Sequence, residues 1–145
     1  MIDEEIRVIY WDASAVLSIL FQDAYSEEAQ KWARQKGVHL ISTLAYAEVY
    51  AVIHRIRRER VLADVLVRAA CEALKEGPWR HLNMLPTWQS IRSLSSRCLL
   101  KGADLWHLST VKTLHKQIPE LMLLTFDNKL RAAAEMVKLK LIPKS

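Results

Sequence analysis

The stretch Ile6–Trp11 (IRVIYW) is a short, mostly apolar run that ends directly before Asp12. Its length and its β-branched and aromatic residues predict a buried strand. The run LMLLT at 121–125 has the same character, and Asp127 follows it after one intervening residue. Two buried strands, each followed by an acid, are therefore the starting point of the predicted fold.

Strand-like and helix-like segments alternate along the rest of the chain. Further strands are predicted at 38–41, 79–85 and 139–142, the last at a sheet edge. Helices are predicted at 14–21, 26–36, 43–58, 62–76, 88–100, 103–115 and 128–138. Ser26 and Thr43 are predicted to cap the second and third helices, and Gly37 to end the second. The alternation predicts a three-layer α/β/α fold around a mostly parallel sheet of four to five strands.

The composition predicts one globular domain over residues 1–145. Apolar residues make up 51% of the chain and charged residues 26%, which is typical of a folded domain. No apolar run approaches the roughly 20 residues that span a bilayer, and the acidic start, Met-Ile-Asp-Glu-Glu, is unlike a signal peptide. We therefore expect a cytoplasmic protein. Cys71 and Cys98 lack CxxC spacing, so packed, reduced thiols are expected rather than a zinc site.

Four acidic residues lie where apolar residues are expected: Asp12, Glu48, Asp104 and Asp127. Asp12 and Asp127 follow predicted strands, whereas Glu48 and Asp104 fall in the first turns of predicted helices. If each helix runs antiparallel to the strand it follows, all four approach the carboxyl edge of the sheet, where α/β proteins bind ligands. A buried carboxylate is costly unless a positive group compensates it. One bound divalent cation would compensate all four.

Three of these acids also have a purely structural interpretation. Asp12 and Asp127 are suitable helix N-caps, and Asp104 in a first helical turn complements the helix dipole. Glu48 is harder to explain in this way, because Ala45, Val49 and Val52 surround it on the apolar side of its helix. The joint pattern is much more specific than any single acid.

The net charge of +5 and the pI of about 9.4 place these acids in basic surroundings. This combination suits phosphodiester chemistry, because cationic side chains hold phosphates while carboxylates hold metal. Arg55, two turns beyond Glu48 on the same helix face, is the best candidate for a phosphate contact, and Lys101 is the second. For the arginines at 55–60 as a group, a solvated helix C-terminus that complements the helix dipole is the favoured interpretation.

Two aromatic residues and one histidine adjoin the acids in sequence. Trp11 and Trp106 are candidates for stacking on nucleobases, but burial in the core is the favoured interpretation for both. His107 is a candidate ligand or base, and a packed helix histidine is favoured over either role.

Four segments resemble the motifs of the PIN domain family, in the family's order. Ile9–Ala15 (IYWDASA) is similar to its opening strand and Asp, and Leu44–Val49 (LAYAEV) is similar to its Glu-bearing helix. Gly102–Thr110 (GADLWHLST) resembles the third motif, and Leu124–Asp127 (LTFD) resembles the closing Thr-x-Asp motif. Each motif is weak alone, but together they cover essentially the whole chain. The compact VapC-like toxins of toxin–antitoxin pairs are the most similar type.

The resemblance implies a complete acidic tetrad. By it, Asp12, Glu48, Asp104 and Asp127 would be the catalytic and metal-binding residues for Mg²⁺ or Mn²⁺, with Ser14 and Thr125 as supporting polar residues. The implied activity is that of an endoribonuclease toxin that cleaves RNA phosphodiester bonds by metal-activated water. The implied partners are an RNA substrate, a small antitoxin protein and a second copy of the chain.

Two other classes of function remain open at this stage. One is a metal-dependent phosphatase or another nuclease; a haloacid-dehalogenase-type phosphatase requires a second Asp at position 14, where this chain has Ser14. The other is a non-catalytic module that binds nucleic acid or a protein through its basic helices. RNA binding that is insensitive to a chelator would indicate the second class.

Overall fold

Four parallel strands form the centre of the computed structural model, which describes residues 6–143. The strands are β1 (Arg7–Trp11), β2 (Gly37–Ser42), β3 (Trp79–Leu82) and β4 (Leu121–Leu124). Their order in the sheet is β3-β2-β1-β4. The last residue of β1, Trp11, is paired with Ile41 of β2 and Leu124 of β4. The carboxyl ends of the three strands therefore meet at one edge.

Seven helices among residues 6–143 connect and cover these strands. They are α1 (Ala13–Leu20), α2 (Ser26–Ala33), α3 (Thr43–Arg58), α4 (Asp64–Glu76), α5 (Trp88–Ser95), α6 (Gly102–His115) and α7 (Asn128–Met136). None of them combines the length and the apolar character needed to cross a membrane.

The sheet separates two hydrophobic clusters because successive strand residues point to opposite faces. In β1, Ile9 and Trp11 belong to the cluster that packs against α1–α4. Tyr10, between them, belongs to the cluster that packs against α5–α7. Leu123 and Leu124 of β4 divide between the clusters in the same way. The predicted three-layer α/β/α architecture is confirmed.

Polar side chains mark the turns from strand to helix at the carboxyl edge. Asp12, Ser42 and Asp127 are the N-caps of α1, α3 and α7, and each side chain accepts a hydrogen bond from a backbone N–H in the first helical turn. The N-cap of α3 is therefore Ser42, one residue before the predicted Thr43. The backbone N–H of Asp12 also donates to the carbonyl of Leu124 (3.3 Å), which fixes the end of β1 beside the end of β4.

The prediction of a fifth strand at 139–142 is wrong. Leu141 forms an isolated bridge to Leu123, and no strand is formed there. Pro143 directly follows this segment, and the short segment packs Ile142 into the core instead. The predicted helix at 88–100 is also too long, because α5 ends at Ser95.

The predicted N-cap and the predicted end of the second helix are likewise wrong. Tyr25, rather than Ser26, is the N-cap of α2, and the buried Ser26 hydroxyl bonds Asp23 and Phe21 instead. The helix ends at Ala33, and Gly37 is the first residue of β2. Gly37 has a φ of +147°, and a Cβ atom there would lie 2.1 Å from the carbonyl oxygen of Arg7. The glycine is thus required by the close approach of β1 and β2.

Replacing Gly37 with alanine is expected to destabilise the fold by about 3 kcal/mol or more, because both the φ value and the contact with the Arg7 backbone are incompatible with a Cβ. Urea unfolding followed by circular dichroism measures the change. Gly102→Ala is the matched control, because a Cβ there meets open space and alanine favours the helix that begins at Gly102. Equal stabilities for the two variants would contradict the argument.

Candidate active site

The carboxylate of Asp12 is buried at the junction of β1, α1 and β4. Its Oδ1 accepts from the Ser14 hydroxyl (2.7 Å) and from the backbone N–H of Ala15 (2.9 Å). Its Oδ2 accepts from the Thr125 hydroxyl (2.5 Å). A carboxylate offers about four lone-pair sites. Three are used, and one on Oδ2 remains for a further ligand.

Burial raises the pKa of Asp12 above its ordinary value, although the hydrogen bonds from Thr125, Ser14 and Ala15 oppose the rise. The ionised form is thus less favourable in the folded chain than in the unfolded chain. A group whose pKa rises on folding adds stability as the pH falls and withdraws it as the pH rises. A cation beside Asp12 would reverse this penalty by favouring the ionised form.

Asp104 and Asp127 line a cleft of about 510 Å³ at the same edge. Asp104 lies in the first turn of α6, while Asp127 caps α7 through Oδ1, which accepts from two backbone N–H groups. Partial burial raises the pKa of Asp104, and the negative charges of Asp127 and Glu48 raise it further, against opposing effects of His107 and Lys101. Asp104 is therefore repelled by two of the other acids.

Glu48 is held by a histidine from the opposite layer. His107 on α6 is buried, and its Nε2 lies 2.6 Å from Glu48 Oε1 on α3. The other ring nitrogen, Nδ1, lies 2.7 Å from the Tyr10 hydroxyl on β1. Because a carboxylate only accepts, Nε2 carries the proton between them, and in the neutral ring Nδ1 accepts from Tyr10. This fixes the ring and the carboxylate together.

Tyr10 is suited to remain the donor in this chain of hydrogen bonds. Burial raises the pKa of its hydroxyl far above the ordinary value, against a lowering effect of the Ser42 hydroxyl. The phenol therefore stays protonated at neutral pH. No local pattern in the sequence indicates this role of Tyr10, since it is 97 residues from His107.

Of the remaining candidate site residues, one lies at the cleft and the others lie elsewhere. Lys101 lines the cleft beside Asp104. Arg55 is exposed in the last turn of α3, about 10 Å along the helix axis from Glu48. Trp11 is buried and its indole N–H donates to His39, as the favoured interpretation predicted. Trp106 is partly exposed and meets the edge of His107.

The acids of the described residues do not form one compact cluster. Within residues 6–143, no three or more His, Cys, Asp or Glu side chains are placed to enclose an ion. The donor set still suits a small hard cation. Mg²⁺ prefers carboxylate oxygens, retains several waters and commonly uses one or two carboxylates together with substrate phosphates. The open lone pair of Asp12 and the pair Asp104 and Asp127 at the cleft match that requirement.

The chain belongs to the PIN domain family, whose family model matches residues 9–136. Among curated proteins, none is close enough in sequence to count as a relative. Two solved structures have a similar fold over most of both chains. PAE2754 from Pyrobaculum aerophilum has a TM-score of 0.61 at 19% identity, over 89% of this chain and 87% of that chain. VapBC2 from Rickettsia felis, bound to a DNA fragment from its promoter, has a TM-score of 0.61 at 12% identity, over 93% of this chain and 97% of that chain.

A third similar structure is the VapC20 toxin of Mycobacterium tuberculosis, which cleaves the sarcin–ricin loop. Its TM-score is 0.56 at 16% identity, over 86% of this chain and 94% of that chain. The resemblance to PIN domains drawn from the sequence motifs is thereby confirmed. At these identities the solved structures establish a common fold.

Tyr10→Phe is expected to destabilise the protein by about 1–2 kcal/mol, because it leaves the buried Nδ1 of His107 without its partner. Urea unfolding at neutral pH measures the change. Tyr25→Phe is the control, since Tyr25 is 44% exposed and loss of its hydroxyl is expected to change stability by less than about 0.5 kcal/mol. A Tyr10→Phe variant as stable as this control would show that the hydrogen bond contributes nothing.

Proposed function

We propose that this protein is a divalent-metal-dependent endoribonuclease and the toxin of a toxin–antitoxin pair. The observation that carries the proposal is the buried Asp12 carboxylate, held by Ser14 and Thr125 beside a cleft lined by Asp104 and Asp127. A purely structural carboxylate has no need of a neighbouring cleft with two more acids. Membership of the PIN domain family supports the same function.

The proposed metal ligands are the tetrad Asp12, Glu48, Asp104 and Asp127. Mg²⁺ or Mn²⁺ bound there supplies Lewis acidity for hydrolysis of a phosphodiester bond by water. Each acid has at least one carboxylate oxygen with unused acceptor capacity. For Asp12 this is Oδ2, and for Glu48 and Asp127 it is the oxygen that does not take part in the bonds to His107 and to the α7 backbone.

The neighbouring side chains orient these oxygens before substrate arrives. Ser14 and Thr125 fix the plane of the Asp12 carboxylate through one hydrogen bond to each oxygen. His107 fixes Glu48 in the same manner, with Tyr10 behind it. Such outer-shell bonds commonly change metal affinity or activity about 10- to 100-fold when removed. His107 and Tyr10 are therefore positioning residues in this proposal.

Substrate phosphates are expected to contact the basic side chains around the cleft. Lys101 and Lys129 line it together with Asp104 and Asp127. Arg55 remains a candidate for a more distant phosphate, since it is exposed further along α3. The overall charge of +5 favours association with a polyanion such as RNA.

The toxin assignment rests on the structural neighbours. VapC20 is a toxin that cleaves the sarcin–ricin loop, and VapBC2 is bound to a DNA fragment from its promoter. We therefore propose a small antitoxin as the protein partner. We also propose a homodimer, which the exposed apolar residues Val61, Val65 and Leu66 before and within α4 support.

The phosphatase alternative is less favoured by the site. Position 14 carries a hydroxyl that donates to Asp12, instead of the second carboxylate that a haloacid-dehalogenase-type enzyme requires. Release of phosphate from mononucleotides would support that alternative, whereas cleavage inside an RNA chain supports the nuclease.

The parent protein is expected to cleave members of a panel of structured RNAs in Mn²⁺ or Mg²⁺ and not in excess chelator. Asp104→Asn is expected to reduce the cleavage rate by at least about 100-fold, because it removes a metal ligand. Glu120→Gln is the control: it removes the same charge from an exposed residue directly before β4, at the opposite edge of the sheet. Equal cleavage by the two variants, or cleavage that survives chelation, would contradict the proposal.

Mn²⁺ is expected to raise the melting temperature of the parent protein by about 5–10 °C when present at about 100 times its Kd. Asp12→Asn is expected to weaken this rise, since the amide keeps the cap on Ala15 but binds metal poorly. Differential scanning calorimetry with and without Mn²⁺ measures both. A melting temperature that Mn²⁺ leaves unchanged in the parent would count against a metal site.

A further inference from the structure

A cavity of about 480 Å³ lies on the other side of the β4–α7 junction from the acidic cleft. It is lined by Tyr25, Phe126 and residues of α2, β4 and α7. The rings of Tyr25 and Phe126 are stacked, with centroids 4.7 Å apart and planes 9° from parallel. Phe126 covers one face of Tyr25, yet Tyr25 remains 44% exposed. An exposed aromatic stack in a cavity is a surface for another planar group.

The cavity adjoins the proposed active site through shared residues. Thr125 lines it and also donates to Asp12. Asn128 lines both this cavity and the cleft that contains Asp104 and Asp127. A flexible chain that has one group in the cavity can therefore cross Asn128 and place its next group over the acids.

The charges around the cavity favour a neutral ligand group over an anion. Glu27 and Glu28 line it together with Lys31 and Arg131, so that acids and bases cancel. Arg131 is moreover engaged by the protein, since its Nη1 donates to the carbonyl of Ile142 (3.0 Å) and its Nε faces Glu135 (3.8 Å). A phosphate would meet two carboxylates here, whereas a planar, uncharged base would not be repelled.

We propose that this cavity is a nucleobase subsite, in which the base adjacent to the cleaved phosphate stacks on the Tyr25–Phe126 pair. The proposal rests on the nuclease function proposed above and adds to it a defined base-binding surface. Stacking on aromatic side chains is the usual way in which proteins hold unpaired bases of single-stranded RNA. The hydrogen-bonding groups of Glu28 and Asn128 at the cavity wall provide contacts to the base edge.

Binding to a fluorescein-labelled single-stranded RNA of about twelve nucleotides tests the subsite. Fluorescence anisotropy is measured in the Asp104→Asn background, so that cleavage does not interfere. Tyr25→Ala is expected to weaken binding about tenfold, in keeping with the loss of one base–aromatic stack, while Tyr25→Trp keeps the affinity within about threefold. Trp88→Ala is the matched control, because Trp88 is 80% exposed and does not line the cavity.

The salt dependence of binding separates a base contact from a phosphate contact. Between about 50 and 200 mM salt, Tyr25→Ala is expected to leave the slope of log Kd against log salt unchanged, because no phosphate contact is lost. The subsite is overturned if Tyr25→Ala binds within twofold of its parent, if Trp88→Ala loses as much, if the slope falls, or if the parent binds no RNA.

Binding and cleavage measured side by side distinguish a failure of the subsite from a failure of the nuclease proposal. A Tyr25 effect on binding together with no metal-dependent cleavage by the unmutated chain would keep the subsite and reject the nuclease. Cleavage by the unmutated chain without any Tyr25 effect would keep the nuclease and reject the subsite.

Discussion

The hydrogen bond between Thr125 and Asp12 is the interaction on which the rest of the site depends. It joins the end of β4 to the end of β1 across 113 residues of sequence, next to the backbone bond from Asp12 to Leu124. Together with the bonds from Ser14 and Ala15, it occupies most of the hydrogen-bond acceptor sites of Asp12. Burial of this carboxylate without such partners would be strongly unfavourable. The same bonds leave one direction of Oδ2 open. One set of hydrogen bonds thus stabilises the buried carboxylate and also leaves it able to bind a ligand.

Helix capping and the proposed metal binding are compatible roles for these acids. Asp12 and Asp127 are helix caps, as the structural interpretation predicted, and they also face the same edge of the sheet as Asp104 and Glu48. A cap uses only part of the acceptor capacity of a carboxylate, so a residue that caps a helix can still bind a cation. The cap fixes the position of the carboxylate, and a fixed carboxylate loses less conformational freedom when a metal binds.

The sequence predicted the fold class, the order of the motifs and the four acids, because buried strands and acids out of place are local features. It failed at Leu139–Ile142, where the apolar pattern suits either an edge strand or a packed terminal segment. It also misjudged Gly37, since a glycine after a helix suggests a helix end when the neighbouring strand cannot be seen. The contact between Gly37 and the backbone of Arg7 exists only when β1 and β2 are paired.

The sequence by itself determined the fold class and the candidates for the chemistry: the acids, their hydroxyl neighbours and the basic surroundings. Only the tertiary structure decided that Tyr10, His107 and Glu48 form one hydrogen-bonded chain across two layers, and that Asn128 lies between an acidic cleft and an aromatic cavity. The physical reason is that hydrogen bonds and stacking act over a few ångströms, whereas their partners are separated by tens of residues in the chain. The spacing of residues in the sequence therefore does not reveal such contacts, which form only when the strands pair in the sheet.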